Sequence, residues 1–388
     1  MAADTTVYSF PTMIDFGAGA AQNVPKWVAA NGAVKKALLV TDPNIPALPL
    51  YDKVVGVLHK AGLPYELFDG VSPDPLDREC YAGAEVYKRA GCDVVIALGG
   101  GSALDGAKGV ALMATHTGSV LDYDDAKGGG DHIDDTIPPI IAIPTTAGTG
   151  SEVGRGFVVT DTERNAKLLV CSPFLMPSVA ILDTELHVGM PPWLTAATGM
   201  DALCHNVEAL LSKGFHPMAN SIALGGIRLV ANSLKRAYEH GDDLSARGDM
   251  ALAAAMGATA FQKGLGVIHS LAHPCSTVCK VHHGLANGVL LEAGMRFNRS
   301  VSVEPLARMA RALGLLGGAA NGEQADDAIR WVAELRDSVG VAARLSDVGV
   351  SEADLPEMEK QAFADGCHQC NPRTVTPQNI HDLYVQTL

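Results

Sequence analysis

A chain of 388 residues is long enough to bury two separate cores and too long for one ordinary core. Hydrophobic residues make up 47% and charged residues 19%, with 41 glycines, which excludes a disordered chain and describes globular domains with many tight turns. A formal net charge of -14 excludes a protein that tracks phosphate backbones or lies on anionic lipid, and favours a small-molecule partner.

No basic segment leads into an apolar stretch between Met1 and Phe10, and no apolar run approaches the roughly 20 residues that span a bilayer. A cytoplasmic protein is therefore expected, with the thiols of Cys80, Cys92, Cys171, Cys204, Cys275, Cys279, Cys367 and Cys370 reduced. Cys367 and Cys370 have the spacing of a redox or zinc pair, and Cys275 with Cys279 would complete a zinc knot. Neither pair sits in the glycine-flanked knuckle such sites use, so no knot is expected.

In chain order, short apolar runs alternate with helical stretches. Lys36 to Asp42 reads as a strand, Tyr51 to Ala61 as a helix, and Tyr65 to Asp69, Asp93 to Leu98 and Pro139 to Ile143 as further strands. That alternation predicts buried parallel strands with crossover helices. Gly128 to Gly130, after Tyr123 to Ala126, reads as a mobile loop. Around Met190 to Trp193 the pattern changes to long Ala- and Leu-rich helices. The expected division is an α/β domain over 1–187 and an all-helical domain over 188–388.

The strand ending at Leu98 runs into Gly99-Gly-Gly-Ser-Ala-Leu-Asp-Gly-Ala-Lys108 and then an apolar helix. Glycines without Cβ let backbone N–H groups close on a pyrophosphate, and a helix N-terminus adds favourable partial charge. Ser102 is expected to cap the helix. Leu104 stands where the third glycine of G-x-G-x-x-G would be, so the turn differs from an ordinary Rossmann fingerprint, and a plain tight turn is the alternative. A second small-residue turn, Pro144-Thr-Thr-Ala-Gly-Thr-Gly-Ser-Glu152, follows the strand ending at Ile143 and would wall the same ligand. Asp42 closes the first strong strand, where a carboxylate accepts from an adenine ribose and repels a 2′-phosphate, favouring NAD over NADP.

In the helical half, Asp201 and His205 lie four apart, as do His269 and His273, and His282-His283 follows. Burying one Asp and several His in apolar helices is costly unless they share a partner, and a divalent cation is the economical one. Imidazole and carboxylate suit Zn²⁺ or Fe²⁺. Absence of His-Glu-x-x-His removes a zinc protease from consideration. Residue types alone leave open which member of each His pair coordinates.

Gly99-Gly-Gly-Ser-x-x-Asp105-x-x-Lys108, Pro144-Thr-Thr-Ala-Gly-Thr-Gly-Ser-Glu-Val153, Gly199-Met-Asp-Ala-x-x-His205 and His269-x-x-x-His273-Pro followed by His283-Gly resemble the iron-containing (group III) alcohol dehydrogenase family, from the Asp42 region to Asn371-Pro-Arg373. The resemblance implies a dehydroquinate synthase-like fold, with NAD in the cleft between an α/β domain and an all-helical metal domain, and a homodimer or larger oligomer. It implies metal ligands Asp201, His205, His269 and His283, with His273 beside the substrate. It places Gly100, Gly101, Ser102 and Asp105 at the pyrophosphate, and Thr145, Thr146, Thr149, Ser151 and Lys167 around the ribose and nicotinamide. Two positions depart from the family pattern, Asp74 where Asn is usual and Gly154 where Thr is common, and both bear on cofactor contacts. Glu152 to Gly156 and Phe261 to Gly266 resemble the 4-hydroxybutyrate dehydrogenase branch, in which Arg155 or Lys263 would pair with a substrate carboxylate.

The expected reaction is reversible hydride transfer between a short primary alcohol or an ω-hydroxy acid and NAD, assisted by Fe²⁺ or Zn²⁺. A dehydroquinate synthase-like lyase would use NAD transiently and yield no net NADH, and a scaffold would hold its metal with no open position.

Overall fold

The computed structural model describes residues 10, 12–164, 166–315 and 320–388. They form two compact units, one of residues 12–146 with 150–189, the other containing Ala147–Thr149 and Met190–Leu388. Among the described residues no single helix is long and apolar enough to cross a membrane.

The strands of the first unit are β1 (Met13–Phe16), β2 (Ala37–Val40), β3 (Tyr65–Phe68), β4 (Val94–Gly99), β5 (Ile140–Pro144), β6 (Gly156–Asp161), β7 (Ala166–Cys171) and β8 (Val179–Leu182). Six of them make one sheet in the order β1-β8-β5-β4-β2-β3, with every pairing parallel, while β6 and β7 form an antiparallel hairpin. Crossovers are supplied by α1 (Val24–Ala30), α2 (Pro49–Lys60), α3 (Asp77–Ala90) and α4 (Gly101–Thr115). Alternate side chains bury on opposite faces: Leu39, Ile96, Leu98 and Ile141 pack with Val24, Val54 and Leu58, whereas Leu38, Val40, Val95 and Ala142 pack with Leu104, Ala107 and Val110. Because both faces are covered, the strands read as continuous apolar runs, and each buried Val, Leu or Ile side chain contributes roughly 1.5–3 kcal/mol by leaving water. The edge strand β1 is held through β8, and both carboxylate oxygens of Asp183 accept backbone N–H groups, from Gly19 and Ala21, at 2.9 Å.

Two local details stand out. In the stretch expected to be mobile, Gly129 is buried with its α-carbon against the backbone of Asp122 and Tyr123, and Gly130 lies under the Cys171 carbonyl. Ser102 does not cap α4; Gly100 occupies the cap position, and the Ser102 hydroxyl donates to the Pro73 carbonyl.

The second unit contains α5 (Pro192–Leu211), α6 (Pro217–Glu239), α7 (Leu244–Ala260), α8 (Val267–Cys279), α9 (His283–Asn298), α10 (Val303–Ala312), α11 (Asn321–Ser338), α12 (Leu355–Ala364) and α13 (Pro377–Thr387). Helix α5 runs through its middle, packed by α6, α7 and α9, and every residue from Thr195 to Leu211 is buried. A helix covered all round has no solvent face for polar residues, so Asp201, His205, Asn206 and Glu208 must find partners inside. Glycines let the neighbours approach: a Cβ on Gly284 of α9 would collide with the Ala197 carbonyl, and one on Gly257 of α7 would stand 2.9 Å from the Cβ of His205.

Candidate metal centre and dinucleotide turns

Asp201 and His205 project from one face of α5, His269 from the first turn of α8, and His283 from the first turn of α9. One ligand atom from each of these four residues lies within 4.8 Å of the other three. His205 and His269 stack with ring centroids 4.7 Å apart, and His283 Nε2 is 3.5 Å from Asp201 Oδ1. The other histidine of each pair goes elsewhere. His282 meets Trp193 edge-on at 5.7 Å, and His273 holds the Asp365 carboxylate through Nδ1 at 2.7 Å while its ring stacks on His283.

The acceptors of this cluster converge in a largely buried place with one amide between them, Asn287 Nδ2, at 2.7 Å from Asp201 Oδ1, 3.3 Å from His269 Nε2 and 3.1 Å from His283 Nε2, and so many facing lone pairs suit a cation. Three imidazoles and one carboxylate are a donor set suited to Fe²⁺ or Zn²⁺, so the residues present fit such an ion. Two imidazoles are oriented by hydrogen bonds at Nδ1. His205 Nδ1 contacts the Gly148 carbonyl at 3.3 Å, and His269 Nδ1 contacts Glu208 at 2.6 Å. Gly148 reaches His205 because it packs on Thr198, whose Cβ would lie 2.9 Å from a Cβ at 148. Burial pushes the His205 imidazole down to about 4, keeping it neutral. For His269 burial acts in the same direction, but the hydrogen bond and charge of Glu208 outweigh it and raise the pKa.

Three participants had not been singled out from the sequence. Glu208 is described above. Asn287, one turn beyond His283, donates to Asp201 Oδ1 at 2.7 Å. Asp365 accepts from His273, from Ser270 Oγ at 2.7 Å and from Cys367 N at 2.8 Å. Burial alone would raise the Asp365 pKa, yet the neighbouring His273 and these donors hold it well below the usual carboxylate range. Glu208 was visible as the next residue on the ligand-bearing face of α5, whereas Asp365 lies 92 residues from His273 and gave no local signal.

In the α/β unit, Asp42, the Gly99 turn and the Thr145 turn follow the C-terminal ends of the adjacent strands β2, β4 and β5. Thr145 N donates to the Gly99 carbonyl at 2.9 Å, joining the two turns. Gly99 has φ +146°, and a Cβ on Gly100 would sit 3.3 Å from Thr146 Oγ1. Asp42 is partly exposed and accepts from Asn44 N, opening an Asx turn with room for another donor. Asp74 and Lys167 pair with each other at 2.7 Å.

Several side chains expected at a ligand have partners within the chain. Asp105, partly buried, accepts from Ser151 Oγ at 2.5 Å and from Val158 N at 3.0 Å. Beside them the buried amine of Lys108 donates to the Ser151 carbonyl and hydroxyl and to the Gly154 and Gly156 carbonyls, at 2.7–3.0 Å. This peg fixes the second turn from beneath. Lys263 is no carboxylate clamp, since its amine donates to the Ala209 and Leu210 carbonyls and to Asn220 Oδ1, closing the end of α5. Burial lowers its pKa to about 8. Arg155 is exposed just before β6. All eight cysteines are free thiols.

A parallel sheet with glycine turns at its strand ends, and a helical unit with an Asp-His₃ cluster, define a metal-assisted dinucleotide oxidoreductase class. Residues 11–184 match the profile of iron-containing alcohol dehydrogenases, and residues 195–388 match the C-terminal profile of the same family. The chain belongs to the iron-containing alcohol dehydrogenase family. It is 39% identical to a 1,3-propanediol dehydrogenase of Klebsiella pneumoniae, over 98% of each chain. It is 36% identical to an NAD-dependent methanol dehydrogenase of Bacillus methanolicus, over 99% of this chain and 100% of the other. The crystal structure of a 1,3-propanediol oxidoreductase superposes with a TM-score of 0.95 at 38% identity, over 99% of this chain and 100% of that one.

Proposed function

We propose that the protein interconverts a short unbranched primary alcohol or diol and its aldehyde, using NAD and a divalent cation held by Asp201, His205, His269 and His283. The observation that carries this reading is the convergence of those four ligand atoms within 4.8 Å inside the helical unit. When bound, the cation would supply positive charge that lowers the pKa of the alcohol oxygen, and NAD would supply the hydride acceptor.

The remaining work falls to the chain. His273 keeps its Nδ1 proton on Asp365, leaving Nε2 to take the proton lost by the hydroxyl, and Asp365 stabilises the imidazolium that results. Backbone N–H groups at Gly100, Gly101 and Ser102 bind the pyrophosphate at the start of α4. Asp42 accepts from the adenine ribose and selects NAD over NADP. Thr145 and Thr146 line the nicotinamide ribose, with the Asp74–Lys167 pair at its margin. Asp105, Lys108 and Ser151 hold the second turn in shape.

Commitment of Lys263 to the α5 carbonyls leaves Arg155 as the remaining candidate for a substrate carboxylate, which favours a neutral alcohol over 4-hydroxybutyrate. A cytoplasmic homo-oligomer completes the reading, and sedimentation of the purified protein tests its size. The functional test is NADH formation by metal-free protein reloaded anaerobically with Fe²⁺ or Zn²⁺, on 1-propanol, 1,3-propanediol, 1-butanol and 4-hydroxybutyrate. His269→Ala is expected to lose both its metal and its turnover; full retention of both would remove the assignment.

A further inference from the structure

We propose that Glu208 is a positioning residue of the metal centre, whose carboxylate fixes the proton of His269 on Nδ1 so that Nε2 faces the cation. This rests on the metal reading above. Asp201, His205 and Glu208 stand at i, i+4 and i+7 of α5, so the face that carries two ligands carries Glu208 as well.

The carboxylate is 2% exposed and receives three N–H groups, which leaves it no call on water. Oε1 accepts from Ile268 N at 2.7 Å, and Oε2 accepts from His269 N at 3.3 Å and from His269 Nδ1 at 2.6 Å. The two backbone donors belong to the first turn of α8, where N–H groups have no partner within the helix. One side chain therefore fixes both where α8 starts and which way the His269 ring turns. Gly266 permits the approach, since a Cβ there would lie 2.7 Å from Oε1.

A carboxylate only accepts, and a neutral imidazole carries one N–H, so the short contact places that proton on Nδ1. Cys204 Sγ, 3.8 Å from the same nitrogen, is a much weaker acceptor and would not hold the tautomer alone. Charge points the same way. One ligand carboxylate leaves a divalent ion with a surplus positive charge in a buried place, and Glu208 supplies the second negative charge nearby.

Glu208→Gln tests the idea at constant volume. A glutamine has one acceptor oxygen: placed at Oε1 it turns its NH₂ on His269 and drives the ring proton to Nε2, and placed at Oε2 it turns NH₂ on the Ile268 donor. Zinc affinity of the full-length protein, read by competition with a chromophoric chelator, is expected to weaken roughly 10–100-fold. The visible bands of the Co²⁺-loaded variant should shift while the far-UV circular dichroism stays that of the parent. An affinity within about twofold of the parent would overturn the proposal.

A second measurement needs no folded variant at position 208. In zinc-loaded parent with ¹⁵N-labelled histidine, the His269 ring, assigned by its loss in His269→Ala, should carry an exchange-protected proton on Nδ1; a proton on Nε2 overturns the proposal. The zinc titration of His269→Ala separates the two failures. If that variant binds zinc like the parent, the metal reading itself falls. If it loses zinc while Glu208→Gln does not, only the role of Glu208 falls.

Discussion

His205 and His269 occupy the same cluster but answer to pH in opposite senses. The folded pKa of His205, about 4, lies below its ordinary 6.5, so between those values the unfolded chain holds a proton that the folded protein refuses. Stability of the metal-free protein should therefore fall as pH drops from 6.5 toward 4, by about 3 kcal/mol at the limit, and His205→Asn should flatten that slope in denaturant titrations. His269 is raised, so its contribution is complete below its unfolded pKa and is lost only at higher pH, outside that window. A protonated imidazole cannot ligate, and the raised pKa of His269 extends its protonated range upward, so metal affinity should climb as pH rises, which calorimetry in two buffers can detect as proton release. Of these groups, spacing alone brought out Asp201 and the histidines, because residues four apart on a helix share a face. Spacing could not choose between His282 and His283, nor reveal Asp365, since those outcomes depend on how distant segments pack. The same limit applies to Lys263: a charged residue near a motif looks like a ligand contact until its hydrogen bonds are seen.

At the scale of elements, the cluster depends on how closely helices pass. Helix α9 meets α5 at Gly284, next to His283, where even a methyl group would overlap the Ala197 carbonyl. Gly284→Ala should push the helices apart, at a cost of about 1–3 kcal/mol by thermal melting, and should weaken metal binding because Asp201 and His283 separate with them. Strands β2 to β5 and helix α2 were legible within a residue or two, since buried parallel strands are short apolar runs bounded by turns. Strands β1 and β8 were not, because four residues such as Met13–Phe16 carry too little pattern until a neighbour is known. The β6–β7 hairpin escaped as well: its residues alternate weakly between inside and outside, and its shape is enforced by the Lys108 peg and Asp105.

For the molecule as a whole, all four ligands lie in the helical unit, so ligation of a cation should register as folding free energy of that unit. At a free metal concentration 100 times the dissociation constant the gain is about 2.7 kcal/mol, and chelation should lower the melting temperature accordingly, with a shift that scales with the logarithm of added metal. Unchanged melting on removal of the ion would place the metal elsewhere. The sheet of the other unit has a different consequence, set by time. Its first strand docks on its last, and the Asp183 carboxylate that clasps Gly19 is synthesised 164 residues later. At about 5–20 residues per second the ribosome needs roughly 8–33 s to cover that distance. Throughout that interval the nascent β1 segment emerges with no native neighbour to adhere to, and it is the stretch that a ribosome-bound chaperone has most reason to shield.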